Sequence, residues 1–206
     1  MKEQKVSGVW FRLAVVAGLL SFAALAQGCV VAAAGAGTAV GVAAAQDRPV
    51  SKAVSDENLT LSIRRALYDA DKKLGGRVGV KVFEGHVDLT GVVTSRDDRI
   101  KAAKIAWNFK DVKDVQNEIQ VGEPGGPIRH IKDSWITTRV KTALFADKNV
   151  KDVNYSVETV KGVVYLMGMA RSRQELDDAI AKTRRIGGVK KVVSLVRVEP
   201  GKMASE

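Results

Sequence analysis

Two stretches decide the fold: VGVKVFEGHVDLTGVV, Val78–Val93, and YSVETVKGVVYLMGMA, Tyr155–Ala170. In the first, Val78, Val80 and Val82 alternate with other residues, as in a strand with one buried face. Glu84-Gly85 then makes a tight turn, since glycine accepts positive φ, and a second strand runs from His86 to Val93. The second stretch repeats the pattern. Val153, Tyr155 and Val157 alternate, Lys161-Gly162 turns, and Val163 to Met169 returns. The two stretches lie 77 positions apart, and the same offset holds on both sides of them. Leu59, Ile63 and Leu67 fall on Ile136, Val140 and Leu144; Ser95-Arg96 on Ser172-Arg173; Ala102 on Ala179; Val112-Lys113 on Val189-Lys190; and Val115, Ile119 and Val121 on Val192, Val196 and Val198. An ungapped offset of this length marks a duplicated unit.

Each copy reads α-β-β-α-β. It opens with a helix, 56–69 and 133–146, whose apolar positions recur every four residues. Ser95 and Ser172 are placed to cap a second helix, which ends near Asn108 in one copy and near Gly187-Gly188 in the other. A last strand covers about 115–121 and 192–198. The expected architecture is α+β: two tandem domains, 51–121 and 128–198, each with two helices on one face of a three-stranded sheet. Residues 122–127, Gly-Glu-Pro-Gly-Gly-Pro, form the linker, and 199–206 a tail.

The first 28 residues read as an export signal. Lys2, Lys5 and Arg12 precede an uncharged run from Leu13 to Ala26, which is short of the ~20 residues that span a bilayer. The run ends in Leu25-Ala26-Gln27-Gly28-Cys29, which resembles the lipobox of bacterial lipoproteins and implies an acylated Cys29. The alternatives are a lone cysteine at an ordinary cleavage site or an uncleaved anchor. Each buried methylene of an acyl chain contributes about 0.8 kcal/mol, so several chains on Cys29 would hold the protein on a membrane. By resemblance to lipoprotein sorting in Gram-negative bacteria, Val30 after the cysteine implies the outer membrane, with the protein facing the periplasm. Residues 29–50, mostly alanine, glycine and valine, lack the large side chains of a core and read as a tether.

The repeated unit, with Gly85 and Gly91 in one copy, Gly162 and Gly168 in the other, and the Val-Lys-x-Val element, resembles the BON domain. With the lipobox, and with Asp133-Ser134-Trp135-Ile136-Thr137-Thr138 opening the second copy, the chain resembles a dual-BON outer-membrane lipoprotein from Cys29 to Val198. The resemblance implies binding of anionic phospholipid by the first helix of the second domain, support of outer-membrane integrity, and a link to the division site.

Charge points to the same copy. The chain carries a formal net charge of +10. Residues 51–121 hold 13 basic and 11 acidic residues, whereas residues 128–198 hold 15 and 7. A field of one sign attracts anionic surfaces such as phosphatidylglycerol or cardiolipin, at about 1 kcal/mol for each Lys or Arg near the surface. Trp135, whose counterpart is Asn58, shares a helix side with Thr138 and Arg139. Thr142 extends that side, and Lys141, Phe145 and Lys148 border it. A tryptophan beside cations suits a headgroup layer. By resemblance, Trp135, Arg139, Lys141 and Phe145 match the family's lipid-binding element. The alternatives are that Trp135 packs against the other domain or the linker, and that Phe145, aligned with Tyr68, has a packing role common to both copies. A rival function is a periplasmic protein-interaction or cell-wall-docking module that touches membrane only through Cys29.

The sequence carries no G-x-S-x-G, H-E-x-x-H or P-loop, and its single Cys and two His leave little for a metal site. No enzyme activity, cofactor or metal is expected, and the export signal argues against nucleic acid. Asp97-Asp98 and Asp177-Asp178 are expected at the starts of the second helices, where acids meet the helix dipole. His86 reads as a strand residue, His130 as preceding a helix, and Trp107 as a candidate contact between copies. The expected state is a monomer, with envelope proteins as further partners.

Overall fold

The structure is a computed structural model that describes residues 49–198. The export signal, Cys29, the tether and the tail lie outside the described residues. Among the described residues, no helix is long and apolar enough to cross a membrane.

The first copy runs α1 (Val50–Ala70), α2 (Lys72–Arg77), β1 (Val78–Phe83), β2 (His86–Val93), α3 (Arg96–Trp107), β3 (Asp114–Asn117) and β4 (Gln120–Val121). The second runs α4 (Pro127–Phe145), a 3-10 turn (Asp152–Asn154), β5 (Tyr155–Val160), β6 (Val163–Ala170), α5 (Arg173–Arg184) and β7 (Lys191–Val198). Both hairpins turn where expected, with Glu84 and Gly85 at φ 52° and 80°, and Lys161 and Gly162 at 55° and 81°. β1 pairs antiparallel with β2 and β5 with β6, while the last strand of each copy lies parallel to the second. A parallel partner requires a crossover, and α3 and α5 supply it. Ser95 and Ser172 cap these helices, accepting from the amides of Asp98 at 3.0 Å and Glu175 at 3.1 Å.

Several boundaries differ from the sequence reading. α1 starts at Val50, and α4 starts at Pro127 rather than 133, so the linker gives its last residue to the helix. Proline fits this first position because its missing N–H and fixed φ cost nothing there. His130 therefore lies inside the helix. Val153 belongs to the 3-10 turn and not to the strand, which begins at Tyr155. α2 was not expected. Asp71 caps it by accepting from the amides of Lys73 and Leu74, and buried Leu74 closes the end of the core. The third strand of the first copy is split at Glu118-Ile119. There the Asn117 side chain accepts from the Ile119 amide and donates to the Arg99 carbonyl. Asp97 and Asp98 stand in the first turn of α3, but Asp177 and Asp178 sit in the middle of α5, whose first-turn acid is Glu175.

Each copy has its own core between helices and sheet. Ile63, Leu67, Ala102 and Ala106 meet Val80, Val82, Val87 and Leu89 in the first copy. Val140, Leu144 and Ala179 meet Val157, Val164 and Leu166 in the second. The helix-free faces of the two sheets pack on each other: Val92 joins Val160, Tyr165, Met167 and Leu195 in a third cluster. Polar contacts tie this layer together. The Thr90 hydroxyl donates to Glu158 at 2.6 Å, Gln120 donates to the Tyr165 hydroxyl at 3.1 Å, and Arg197 donates to the Phe83 carbonyl at 3.2 Å. Burial on both faces explains why Val163 to Met167 is an apolar run instead of an alternation. Trp107, a candidate for this contact in the sequence, is 52% exposed and does not enter the apolar cluster.

Asp88 is a misfit in this layer. It is 3% exposed, and its Oδ1 has no hydrogen-bond partner. Burial pushes its pKa up to about 7; Arg197 opposes the shift, and Asp114 and Glu118 add to it. Below pH ~4 the group is protonated in both folded and unfolded chains. Between that and about 7 the folded chain holds a proton that the unfolded chain has lost, so stability falls as pH rises. Denaturant unfolding of the wild type at pH 5 and pH 8 should show this loss, and Asp88→Asn should remove most of the difference. An unchanged pH slope in Asp88→Asn would overturn the assignment. Gly168 (φ 119°) makes a second test. A Cβ there would collide with the Asn154 carbonyl oxygen, so Gly168→Ala should cost about 2 kcal/mol or more by the same measurement.

Candidate functional site

α4 is held at its N-terminal half by one carboxylate. Asp133 Oδ2 accepts from the Lys161 amide at 2.8 Å, and Oδ1 from the Gly162 amide at 2.9 Å. This fastens the helix to the β5–β6 turn. Asp56 does the same in the first copy with the amides of Glu84 and Gly85, at 2.7 and 3.1 Å. Ile136, Val140 and Leu144 bury the core side of α4, and Thr137 donates to Thr159 at 2.8 Å beside it. The opposite side of the helix is left in solvent.

That side is apolar and cationic at once. Trp135 is 53% exposed, and the Arg139 guanidinium carbon stands 4.6 Å from its ring centroid, a cation–π contact. Ile131 and Ile128, 69% and 72% exposed, continue the stripe towards the helix N-terminus. At 3.6 residues per turn, Ile128, Ile131, Arg139 and Thr142 all fall within about 40° of Trp135. Beside the stripe opens a cavity of about 920 Å³ between α4, the β5–β6 turn and the Gly187-Gly188 loop, with Lys132, Lys161 and Lys190 among its lining residues.

The sequence-derived residues separate into groups. Trp135, Arg139 and Thr142 share the stripe. Thr138 flanks it, but its hydroxyl donates to the Ser134 carbonyl at 3.0 Å, so its proton is committed to the helix. Phe145 lies about 80° round, and Lys141 about 120° round, on a different side of the helix. Lys148 sits beyond the helix end, in the turn that follows. The proposed packing role of Phe145 does not hold: it is 75% exposed, and Tyr68 is 51% exposed. Trp135 likewise stands open and is not packed against the first copy.

Ile128, Ile131, Lys132, Lys161 and Lys190 were missed. The isoleucines and Lys132 fall before position 133, where the periodicity alone places the start of the helix. The spacing 128, 131, 135 and a proline at the first helical position were the available signals. Lys161 was legible in the repeat, since its counterpart is Glu84.

The arrangement offers an apolar wedge with Arg139 stacked on it and lysines around it. It contains no paired acid and base, and among the described residues no cluster of three or more His, Cys, Asp or Glu could hold a metal. His86 is a strand residue, with Nδ1 3.8 Å from Asp114; burial first, and Arg197 second, keep its pKa below the usual histidine value.

Comparison with known proteins matches the BON domain at residues 55–123 and again at 132–200. The chain belongs to the BON-domain family. Over 187 residues, 90% of this chain and 95% of the relative, it is 32% identical to the outer membrane lipoprotein DolP of Haemophilus influenzae. It is 39% identical over 151 residues to an uncharacterized protein in the gshII 5' region of Anaplasma centrale, covering 73% of this chain and 99% of that one. With the osmotically-inducible protein Y of Escherichia coli it shares 30% over 145 residues, 69% of this chain and 72% of the relative. Two BON domains on one chain, as the repeat implied, are therefore the established architecture.

The Asp133 clamp is testable by itself. Hydrogen bonds to a charged group contribute about 1.5–3 kcal/mol each, partly offset by solvent at this half-buried site. Asp133→Ala should lower unfolding stability by about 2 kcal/mol and increase amide exchange at Lys161 and Gly162. Unchanged exchange at those two amides would show that packing alone holds the helix.

Proposed function

We propose that this protein is an outer-membrane lipoprotein, anchored through Cys29 and facing the periplasm, whose second BON domain binds anionic phospholipid through the exposed side of α4. The observation that carries this reading is the solvent-facing stripe of Ile128, Ile131 and Trp135, with Arg139 stacked on the indole and lysines beside it. Indole and aliphatic side chains suit the boundary between headgroups and acyl chains, and the cations attract the phosphates. The Haemophilus influenzae relative, an outer membrane lipoprotein matched over 90% of this chain, supports the location. Phosphatidylglycerol and cardiolipin are the expected ligands. The cellular role is maintenance of outer-membrane integrity, with a link to the division site.

The first copy supports the assignment by contrast. At the positions of Trp135, Lys132 and Lys161 it carries Asn58, Ser55 and Glu84. The same fold there keeps Lys113 at the position of Lys190 and Val54 at that of Ile131, but it lacks the tryptophan and the other two lysines.

Co-sedimentation of residues 46–206, without signal or lipid, with vesicles tests the proposal. Binding is expected to vesicles containing phosphatidylglycerol or cardiolipin, not to neutral ones, and is expected to be lost at high salt as charges are screened. Trp135→Glu should abolish it while shifting stability by no more than about 0.5 kcal/mol, as is usual for an exposed side chain. Absence of binding to either vesicle would leave Cys29 as the membrane contact and favour a protein or cell-wall ligand for this surface.

A further inference from the structure

The last strand differs between the copies in a way that the membrane reading does not use. In the first copy it is broken into β3 and β4 by Glu118-Ile119, so its outer edge is short and interrupted. In the second copy β7 runs unbroken for eight residues, Lys191–Val198, in register with β6 throughout. β7 ends the sheet order β5-β6-β7, so among the described residues no strand lies on its far side. Ser194 is exposed, and the Val196 amide reaches its hydroxyl at 3.4 Å, a weak local bond at the strand edge. A long, regular, valine-rich edge without proline is a template for another strand unless it is blunted. The first copy is blunted by its break, whereas the second keeps an unbroken strand whose only interruption is the charge of Lys191 and Arg197.

A groove of about 870 Å³ lies beside the start of this edge, between the two copies. Val163, Tyr165 and Val193 give it an apolar side. Arg96, Arg99 and Lys191 stand on its rim, against the one carboxylate of Glu118. Arg99 also donates to the Asn117 carbonyl at 2.8 Å, which fixes its guanidinium at this rim. Further along β7, Arg197 is turned away from this groove and donates to the Phe83 carbonyl in the layer between the sheets.

These charges choose between occupants. Pairing of β7 with β7 of a second copy, two-fold about Ser194, would set Lys191 directly opposite Arg197 of the second copy, and the reverse at the other end. Like charges directly opposed destabilise a strand pair. An acidic strand meets neither penalty. We propose that the free edge of β7 captures an extended, acidic segment of a partner protein by strand addition, with its apolar side chains entering the groove and its carboxylates facing Arg96, Arg99 and Lys191. Main-chain hydrogen bonds would supply affinity, and the groove and rim the specificity. This site is separate from the α4 surface and does not depend on lipid binding there.

The test uses the full chain in detergent solution and a fluorescein-labelled eight-residue peptide alternating glutamate and valine. A second peptide has its two central valines replaced by proline, which keeps the charge and removes strand pairing. Anisotropy should show the first peptide bound and the second about tenfold weaker or absent, with slowed amide exchange confined to β7. Lys191→Glu should weaken the first peptide, and the more conservative Lys191→Gln should do so to a smaller degree. Equal binding of both peptides would show charge attraction alone and overturn the proposal. So would protection of amides elsewhere than β7, or no binding of either peptide.

Discussion

Each copy of this protein depends on a carboxylate that reaches from a helix to the two amides of a hairpin turn. The turn residues, Glu84-Gly85 and Lys161-Gly162, adopt positive φ and point their N–H groups at one spot. Buried donors left unpaired would cost about 1–3 kcal/mol each. Asp56 and Asp133 satisfy them and, in doing so, set the position of the opening helix along the sheet. Once that is fixed, Leu59, Ile63 and Leu67, or Ile136, Val140 and Leu144, fall over the sheet. The helix side turned away from the sheet is then free to vary, and only the second copy has used that freedom to expose a tryptophan.

Much of this was legible because duplication makes a sequence its own control. A position kept at an offset of 77 signals structure, and Ser95/Ser172 and Gly91/Gly168 did so correctly. A position changed in chemistry signals specialisation, as Asn58/Trp135 did. Asp56 and Asp133 also stand at that offset, but their task depends on the turn amides that only the folded chain brings beside them. Pro127 carries a similar ambiguity. In the linker string it looks like a breaker, although at the first turn of a helix it is well tolerated, and taking it as a breaker hides Ile128 and Ile131.

Other features were beyond sequence reasoning. That the two sheets meet face to face depends on both copies at once, and no single strand announces it. Asp88 and Thr90 look like outward-facing polar residues of a half-buried strand, but the second copy covers them. At the break at Glu118-Ile119 the Asn117 side chain accepts from the Ile119 amide and also donates to the Arg99 carbonyl; the matching Ser194 accepts from the Val196 amide in the same way but has no such second bond, and β7 stays unbroken.

The order of strands in each sheet has a kinetic side. The hairpin joins residues no further apart than Val78 and Gly91, whereas the parallel strand must return across a helix to join residues such as His86 and Asp114. Local contacts close first, because long loops lose more entropy before any contact rewards them. Each copy can therefore complete its hairpin and helix clamp on its own, add the third strand next, and dock on its neighbour last. Until that docking, Val92, Tyr165 and Met167 stand open to water. With its twin fold only a short linker away, each copy meets the right surface at high effective concentration before it meets a stranger. Fusion of the two copies thus guards the nascent molecule against association through its own unfinished sheets.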